Sequence, residues 1–116
     1  MVAANLYVPS VGDLVWINFD PQAGSEQAGR RPALVMSGAT YNRRTGLALF
    51  CPITSRVKGY PFEVMLPAGL PVSGVVLVDQ IKSLDWRSRR VEHVGPVPAS
   101  FLALAHERLD ILMERA

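Results

Sequence analysis

A single cysteine, Cys51, stands among 116 residues, which excludes an internal disulfide framework and any cysteine-based metal cluster. It lies in the apolar run Leu47–Ile53, the setting of a small core side chain and not of an activated thiol. Histidine is nearly as scarce: His93 and His106 are not spaced as ligands, so no metal site is expected. A Ser-His-Asp or Cys-His catalytic set would have to recruit one of these two, and each reads as a packing or surface residue. No phosphate-cradling glycine motif occurs, neither GxxxxGK nor GxGxxG, which argues against nucleotide-driven chemistry. No apolar run approaches the roughly 18 residues of a membrane span, and no charged-then-hydrophobic leader opens the chain. A cytoplasmic protein without cofactor or membrane association is the expectation. Charged residues are few at 19% against 49% apolar, so the chain reads as one globular domain over residues 1–116.

The charge that is present is unevenly placed. Between Arg30 and Arg90 there are ten Lys/Arg and three Asp/Glu, while the rest holds two basic and seven acidic residues. A basic middle of this kind suits an anionic partner such as nucleic acid or an acidic peptide. Scattered, solvated arginines would give the same count, and only a fold that brings them together distinguishes the two.

Many short strands and one closing helix are predicted. Val11–Phe19 alternates, with Val15, Ile17 and Phe19 on one face and Leu14 and Trp16 on the other, as in a strand covered on both sides. Asp20-Pro21 ends it. A short strand is expected near Ala33–Ser37, and a turn-rich connection that can hold one helical turn over Tyr41–Gly46. Leu47–Thr54 puts Leu47, Leu49, Cys51 and Ile53 on one face and Ala48, Phe50 and Thr54 on the other. Strands also read at Phe62–Leu66, at Gly74–Asp79 continuing after a kink through Gln80–Trp86, and at Val91–Val97. Pro98 suits a first helical turn, and Phe101, Leu102, Ala105, Leu109, Leu112 and Met113 recur at helical spacing. Frequent Gly and Pro between the strands point to a small barrel, mainly β with a C-terminal helix.

The segment Gly24-Ser25-Glu26-Gln27-Ala28-Gly29-Arg30-Arg31-Pro32 carries the most chemistry. Two glycines permit close backbone approach, and adjacent arginines offer permanently charged forks matched to phosphate. A solvated hairpin loop would look the same by composition alone. With metal, histidine and thiol chemistry set aside, arginine, carboxylate and hydroxyl groups remain. RNA cleavage suits them, because the substrate's own 2′-hydroxyl is the nucleophile. An arginine would stabilise charge on the phosphorane, a carboxylate such as Glu26 would accept a proton, and a hydroxyl such as Thr54 would hydrogen-bond phosphate. The inventory permits this reaction without requiring it.

That segment, following Gly12-Asp13-Leu14-Val15-Trp16 and Phe19-Asp20-Pro21, resembles the MazF/PemK family of toxin endoribonucleases. The likeness continues through Pro52-Ile53-Thr54-Ser55, Lys58-Gly59-Tyr60-Pro61-Phe62-Glu63-Val64, Val78-Asp79-Gln80-Ile81-Lys82-Ser83 and Asp85-Trp86-Arg87, in family order over nearly the whole chain. It is nearest to the MazF/ChpB branch. The resemblance implies an SH3-like barrel of the CcdB/MazF type, acting as a homodimer. It implies metal-independent cleavage of single-stranded mRNA at short sequences, leaving 2′,3′-cyclic phosphate and 5′-hydroxyl ends. It also implies a MazE-like antitoxin whose flexible acidic segment fills the RNA groove. By the same resemblance Arg31 is the catalytic arginine, Thr54 its partner, and Glu26 an implicated glutamate; Ser25, Gln27, Lys58, Gln80 and Lys82 are candidate substrate contacts. Arg30 stands where close relatives can have histidine, and is expected to add RNA affinity. The alternative is a toxin of the same fold that poisons a protein such as gyrase without cleaving anything. A pure binding module has no need of the set Arg31, Glu26 and Thr54.

Overall fold

Alternating apolar residues on both faces of the central strands demand a sheet covered twice, and that is how the chain folds. The computed structural model describes residues 7–20 and 28–115. In chain order the elements are β1 (Asp13–Asn18), β2 (Arg30–Val35), α1 (Ala39–Thr45), β3 (Leu47–Thr54), β4 (Glu63–Met65), β5 (Val75–Leu77), a 3₁₀ turn (Val78–Gln80), β6 (Lys82–Asp85), β7 (Glu92–Pro96) and α2 (Ala99–Leu112). The paired order is β4-β5-β3-β2-β1-β7, all antiparallel, and β6 joins the N-terminal half of β3. Among the described residues β4 and β7 end the path, so hydrogen bonding does not close the barrel all round. The expected mainly β domain with a C-terminal helix is found.

β3 organises the sheet because it pairs along its whole length. β2 flanks it on one side; on the other, Leu47–Phe50 meets β6 and Ile53–Thr54 meets β5. Its alternation feeds two cores. Cys51 and Ile53 join Leu14, Leu34, Val76 and Val78 under α2, which contributes Phe101 and Ala105. Ala48 and Phe50 join Val15, Ile17, Phe19, Ala33, Val35, Leu84 and Trp86 on the opposite face. The helical stripe is shorter than predicted. Leu102 and Leu109 pack against the first core, but Leu112 and Met113 are 39% and 49% exposed.

The connection read as a turn is a seven-residue helix, α1, ended by Gly46 in the left-handed region at φ 73°. Its residue Asn42 is fully buried and ties three separate segments together. Its Nδ2 donates to Pro9 O at 2.7 Å and Ser37 O at 3.0 Å, and its Oδ1 accepts from Ser37 Oγ at 2.7 Å. Its main-chain O accepts from Trp86 Nε1 at 3.0 Å. Truncation to alanine strands buried carbonyls without donors, each costing about 1–3 kcal/mol. Asn42→Ala is therefore expected to lose about 2–4 kcal/mol in urea unfolding with an unchanged slope. A loss under about 1 kcal/mol would mean water replaces the amide.

Candidate active site

β1 and β2 form a hairpin whose neck sits at Phe19 and Gly29. Phe19 N–H donates to Gly29 O at 2.9 Å, and Gly29 N–H donates to Asp20 Oδ1 at 2.8 Å. Gly29 has φ 74°, a conformation that costs other residues a Cβ clash. The ladder then pairs Asn18 with Arg30 and Ile17 with Arg31. Strand alternation separates the two arginines. Arg31 shares a face with Ala33 and Val35, whereas Arg30 shares one with Pro32 and Leu34.

Arg30 is engaged away from any RNA groove on the Arg31 face. Its Nη1 donates to Arg90 O at 2.8 Å and its Nη2 pairs with Glu92 Oε1 at 3.1 Å. Arg31 is half-buried, and its Nε donates to Ala28 O at 2.7 Å. That bond holds the guanidinium plane by its inner nitrogen and leaves both Nη groups without a partner among the described residues.

The β2–β3 register brings Thr54 into line. Ala33 lies opposite Pro52 and Val35 opposite Phe50, so continuing the ladder by two residues projects Arg31 opposite Thr54, on one face. Thr54 is one of two buried polar residues among those described, 7% exposed. Its Oγ1 accepts the Arg56 N–H at 3.1 Å, leaving its hydroxyl proton to donate. Lys82 lies opposite Phe50 in the β3–β6 ladder, on the same face and about 13 Å along the strand from the Thr54 row.

Two further elements frame this row. The loop after Thr54 carries Lys58, whose side chain is exposed while its backbone is fixed by Glu63. The Glu63 carboxylate accepts N–H groups of Lys58 at 3.0 Å and Gly59 at 2.8 Å. Tyr60 donates its hydroxyl to Asp79 Oδ1 at 3.1 Å, joining the loop to the 3₁₀ turn that presents half-buried Gln80. Burial, then the Asp79 carboxylate, raise the Tyr60 phenol above its ordinary value. Burial, then the same carboxylate, push the Cys51 thiol up to about 12, so it is no nucleophile at neutral pH. His106 Nε2 lies 3.2 Å from Met36 O, and His93 packs on Tyr7 at 4.9 Å between ring centroids. Among the described residues no three His, Cys, Asp or Glu side chains cluster as metal ligands.

Of the sequence-expected residues, then, Arg31 in β2 has the alternation of Ala33 and Val35, Thr54 ends β3 with the alternation of Phe50, Lys82 lies opposite Phe50 in β6, Lys58 and Gln80 lie in the loop after β3 and in the 3₁₀ turn, and Arg30 has the opposite alternation to Arg31. Ser25, Glu26 and Gln27 lie outside the described residues. Sequence reading missed the carboxylates that shape the site, Glu63, Asp79 and Glu92. Glu63 had a legible signal, as the one charge in a short apolar strand. Asp79 and Glu92 act through partners 19 and 62 residues distant in sequence, which local pattern does not reveal.

Comparison with known proteins agrees over the same span. The endoribonuclease toxin MazF of Escherichia coli strain K12 is 49% identical over 107 residues, 92% of this chain and 96% of that protein. The crystal structure of MazF (Form-I) from Deinococcus radiodurans superposes with a TM-score of 0.90 at 62% identity, covering 93% of this chain and 98% of that one. A MazE–MazF complex (Form-II) from the same organism gives a TM-score of 0.84 at 55% identity, covering 95% and 99%. No described helix is long and apolar enough to cross a membrane. Residues 10–113 match the model of the PemK-like, MazF-like toxins of type II toxin–antitoxin systems, and the chain belongs to that family.

Proposed function

We propose that this chain is a sequence-specific endoribonuclease toxin that cleaves single-stranded RNA, mainly mRNA, and so stops translation and growth. What supports the reading is the β2–β3 register, which ends at Ala33 opposite Pro52 and, carried two residues further, points Arg31 toward Thr54, together with the two Arg31 Nη groups that have no partner among the described residues. The 2′-oxygen attacks the adjacent phosphorus and loses its proton to a base, for which Glu26 is the candidate. The P–O5′ bond breaks, and the leaving oxygen takes up a proton. The products are a 2′,3′-cyclic phosphate and a 5′-hydroxyl. Arg31 neutralises the phosphorane oxygens with its two outer nitrogens, and Thr54 donates its hydroxyl proton to the same phosphate. No step uses a metal or a cofactor. Lys58, Lys82, Gln80, Ser25 and Gln27 are the candidate contacts to flanking nucleotides.

The toxin acts as a homodimer and is neutralised by a MazE-like antitoxin whose flexible acidic segment competes with RNA for the basic groove. The Deinococcus MazE–MazF complexes, with toxin chains 55% and 54% identical to this one, support that partner class. The test is incubation of the purified protein with a single-stranded RNA pool in EDTA, followed by mapping of both ends. Cleavage at a short recurring sequence, with cyclic phosphate and 5′-hydroxyl ends, is expected. Intact RNA, or cleavage only after a divalent cation is added, would refute the mechanism.

A further inference from the structure

The turn between β6 and β7 carries Arg87, Arg89 and Arg90, part of the basic middle of the chain, and of these Arg89 is half-buried. The turn is internally fixed. Asp85 Oδ1 accepts the N–H groups of Arg87 at 3.0 Å and Ser88 at 3.1 Å, and Val91 N–H donates to Trp86 O at 3.3 Å. Arg90 adopts a left-handed φ of 57°, which only a determined turn imposes on a side-chain-bearing residue.

From this turn, contacts reach both strands of the hairpin that presents Arg31. At the end of β1, Asn18 N–H donates to Arg89 O at 3.1 Å, and Arg89 Nη1 donates to Asn18 O at 3.1 Å and also to Asp20 O. At the start of β2, Arg30 Nη1 donates to Arg90 O and its Nη2 pairs with Glu92. Asn18 and Arg30 are the last paired residues of the hairpin, one position from Arg31. Arg89 is half-buried, and its guanidinium donates to main-chain carbonyls, with no carboxylate partner among the described residues.

We infer that the β6–β7 turn is a brace that sets the position of Arg31, with Arg89 and the Arg30–Glu92 pair as positioning residues and not as RNA contacts. The inference rests on the reading of Arg31 as the phosphorane-stabilising group. Misplacement by about 1 Å is enough to lower such a reaction about 100-fold. The two anchors differ in weight. Arg89 holds main-chain carbonyls from a half-buried site, whereas Glu92 is 69% exposed and its pair with Arg30 is the weaker anchor.

The experiment measures kcat and KM on a short single-stranded RNA containing the mapped cleavage sequence, together with the salt dependence of RNA binding. It compares wild type, Arg89→Met, Arg89→Lys, Glu92→Gln, and each of Arg89→Met and Glu92→Gln combined with Arg31→Ala. Arg89→Met is expected to lower kcat about 10- to 100-fold with KM changed less than about threefold. Arg89→Lys is expected to recover part of that loss, and Glu92→Gln to lose about two- to fivefold. Binding should keep its salt slope in all three, and neither substitution should lower the residual single-turnover rate of Arg31→Ala. A salt slope reduced by about one unit with a raised KM would make Arg89 an RNA contact and overturn the inference. Unchanged kcat, or losses that add to Arg31→Ala, would overturn it as well. Amide exchange at Gly29, Arg30 and Arg31 decides the case independently of catalysis: faster exchange in Arg89→Met supports the brace, and unchanged exchange refutes it. Full activity of Arg31→Ala would instead refute the functional reading, with the exchange result still judging the brace.

Discussion

Arg31→Ala is expected to lower single-turnover cleavage of single-stranded RNA by about 10²- to 10³-fold, the usual loss when one donor to a developing oxyanion is removed. Stability should change far less. The one hydrogen bond recorded for the Arg31 side chain among the described residues is Nε to Ala28 O. Losing such a bond costs about 0.5–1.5 kcal/mol. Arg31→Lys keeps the charge but offers a compact ammonium where the site presents a planar fork, so it should restore only part of the rate. Arg30→Ala provides the contrast. Its guanidinium is committed to Arg90 O and Glu92, so its removal should cost tenfold or less in rate. Thermal unfolding run beside the kinetics separates a damaged site from a damaged fold. An Arg31→Ala protein retaining a third or more of wild-type cleavage would remove this arginine from the chemistry.

The asymmetry between the two arginines shows where sequence reading stops. That both lie beside a strand is legible, because Pro32 to Met36 is apolar and follows glycines. Which one has the alternation of Ala33 and Val35 and so points toward the Thr54 end of β3 depends on the β2–β3 register, and register is a tertiary property. β2 begins at Arg30 and not at Ala33, because its pairing with β1 extends to Asn18 and the partners of Arg30 lie some 60 residues downstream. β3 was fully legible for the opposite reason. Its two faces fill two cores, so alternation persists from Leu47 to Thr54 without a polar interruption. The kink expected after Asp79 is a 3₁₀ turn at Val78–Gln80, which ends β5 and lets β6 take up pairing with the other half of β3. α1 was under-read because its anchor is a buried asparagine. An asparagine in a polar stretch signals a turn locally, and only the distant carbonyl of Pro9 and the indole of Trp86 make it a core residue.

The same dependence on distant contact makes Gly74→Ala the most damaging glycine substitution expected among the described residues. Gly74 ends the loop before β5 and has φ 121°, a region that L side chains rarely adopt. Holding a non-glycine residue there costs about 1–3 kcal/mol. Space imposes a second cost. A Cβ at this position would lie 2.3 Å from Thr54 O and 2.9 Å from Thr54 C, both main-chain atoms with no rotamer to yield. Relief requires β5 to move away from the end of β3, where Thr54 pairs with Val75. Val75 is almost fully buried, and Leu66 N–H is bonded to Gly74 O at 3.0 Å, so that movement disturbs the core and the loop closure together. Overpacking of this kind adds about 1–3 kcal/mol, and Tm should fall by more than about 10 °C. Gly69→Ala is the control for backbone conformation alone, with φ 91° and open space around the added methyl group. It should cost about 1–2 kcal/mol. Cleavage separates the two variants further. At a temperature where both remain folded, Gly69→Ala should retain wild-type kcat, while Gly74→Ala should lose activity because the displaced atoms belong to Thr54. Equal stability and equal kcat in the two variants would show that β5 yields without moving Thr54, and would detach this glycine from the site.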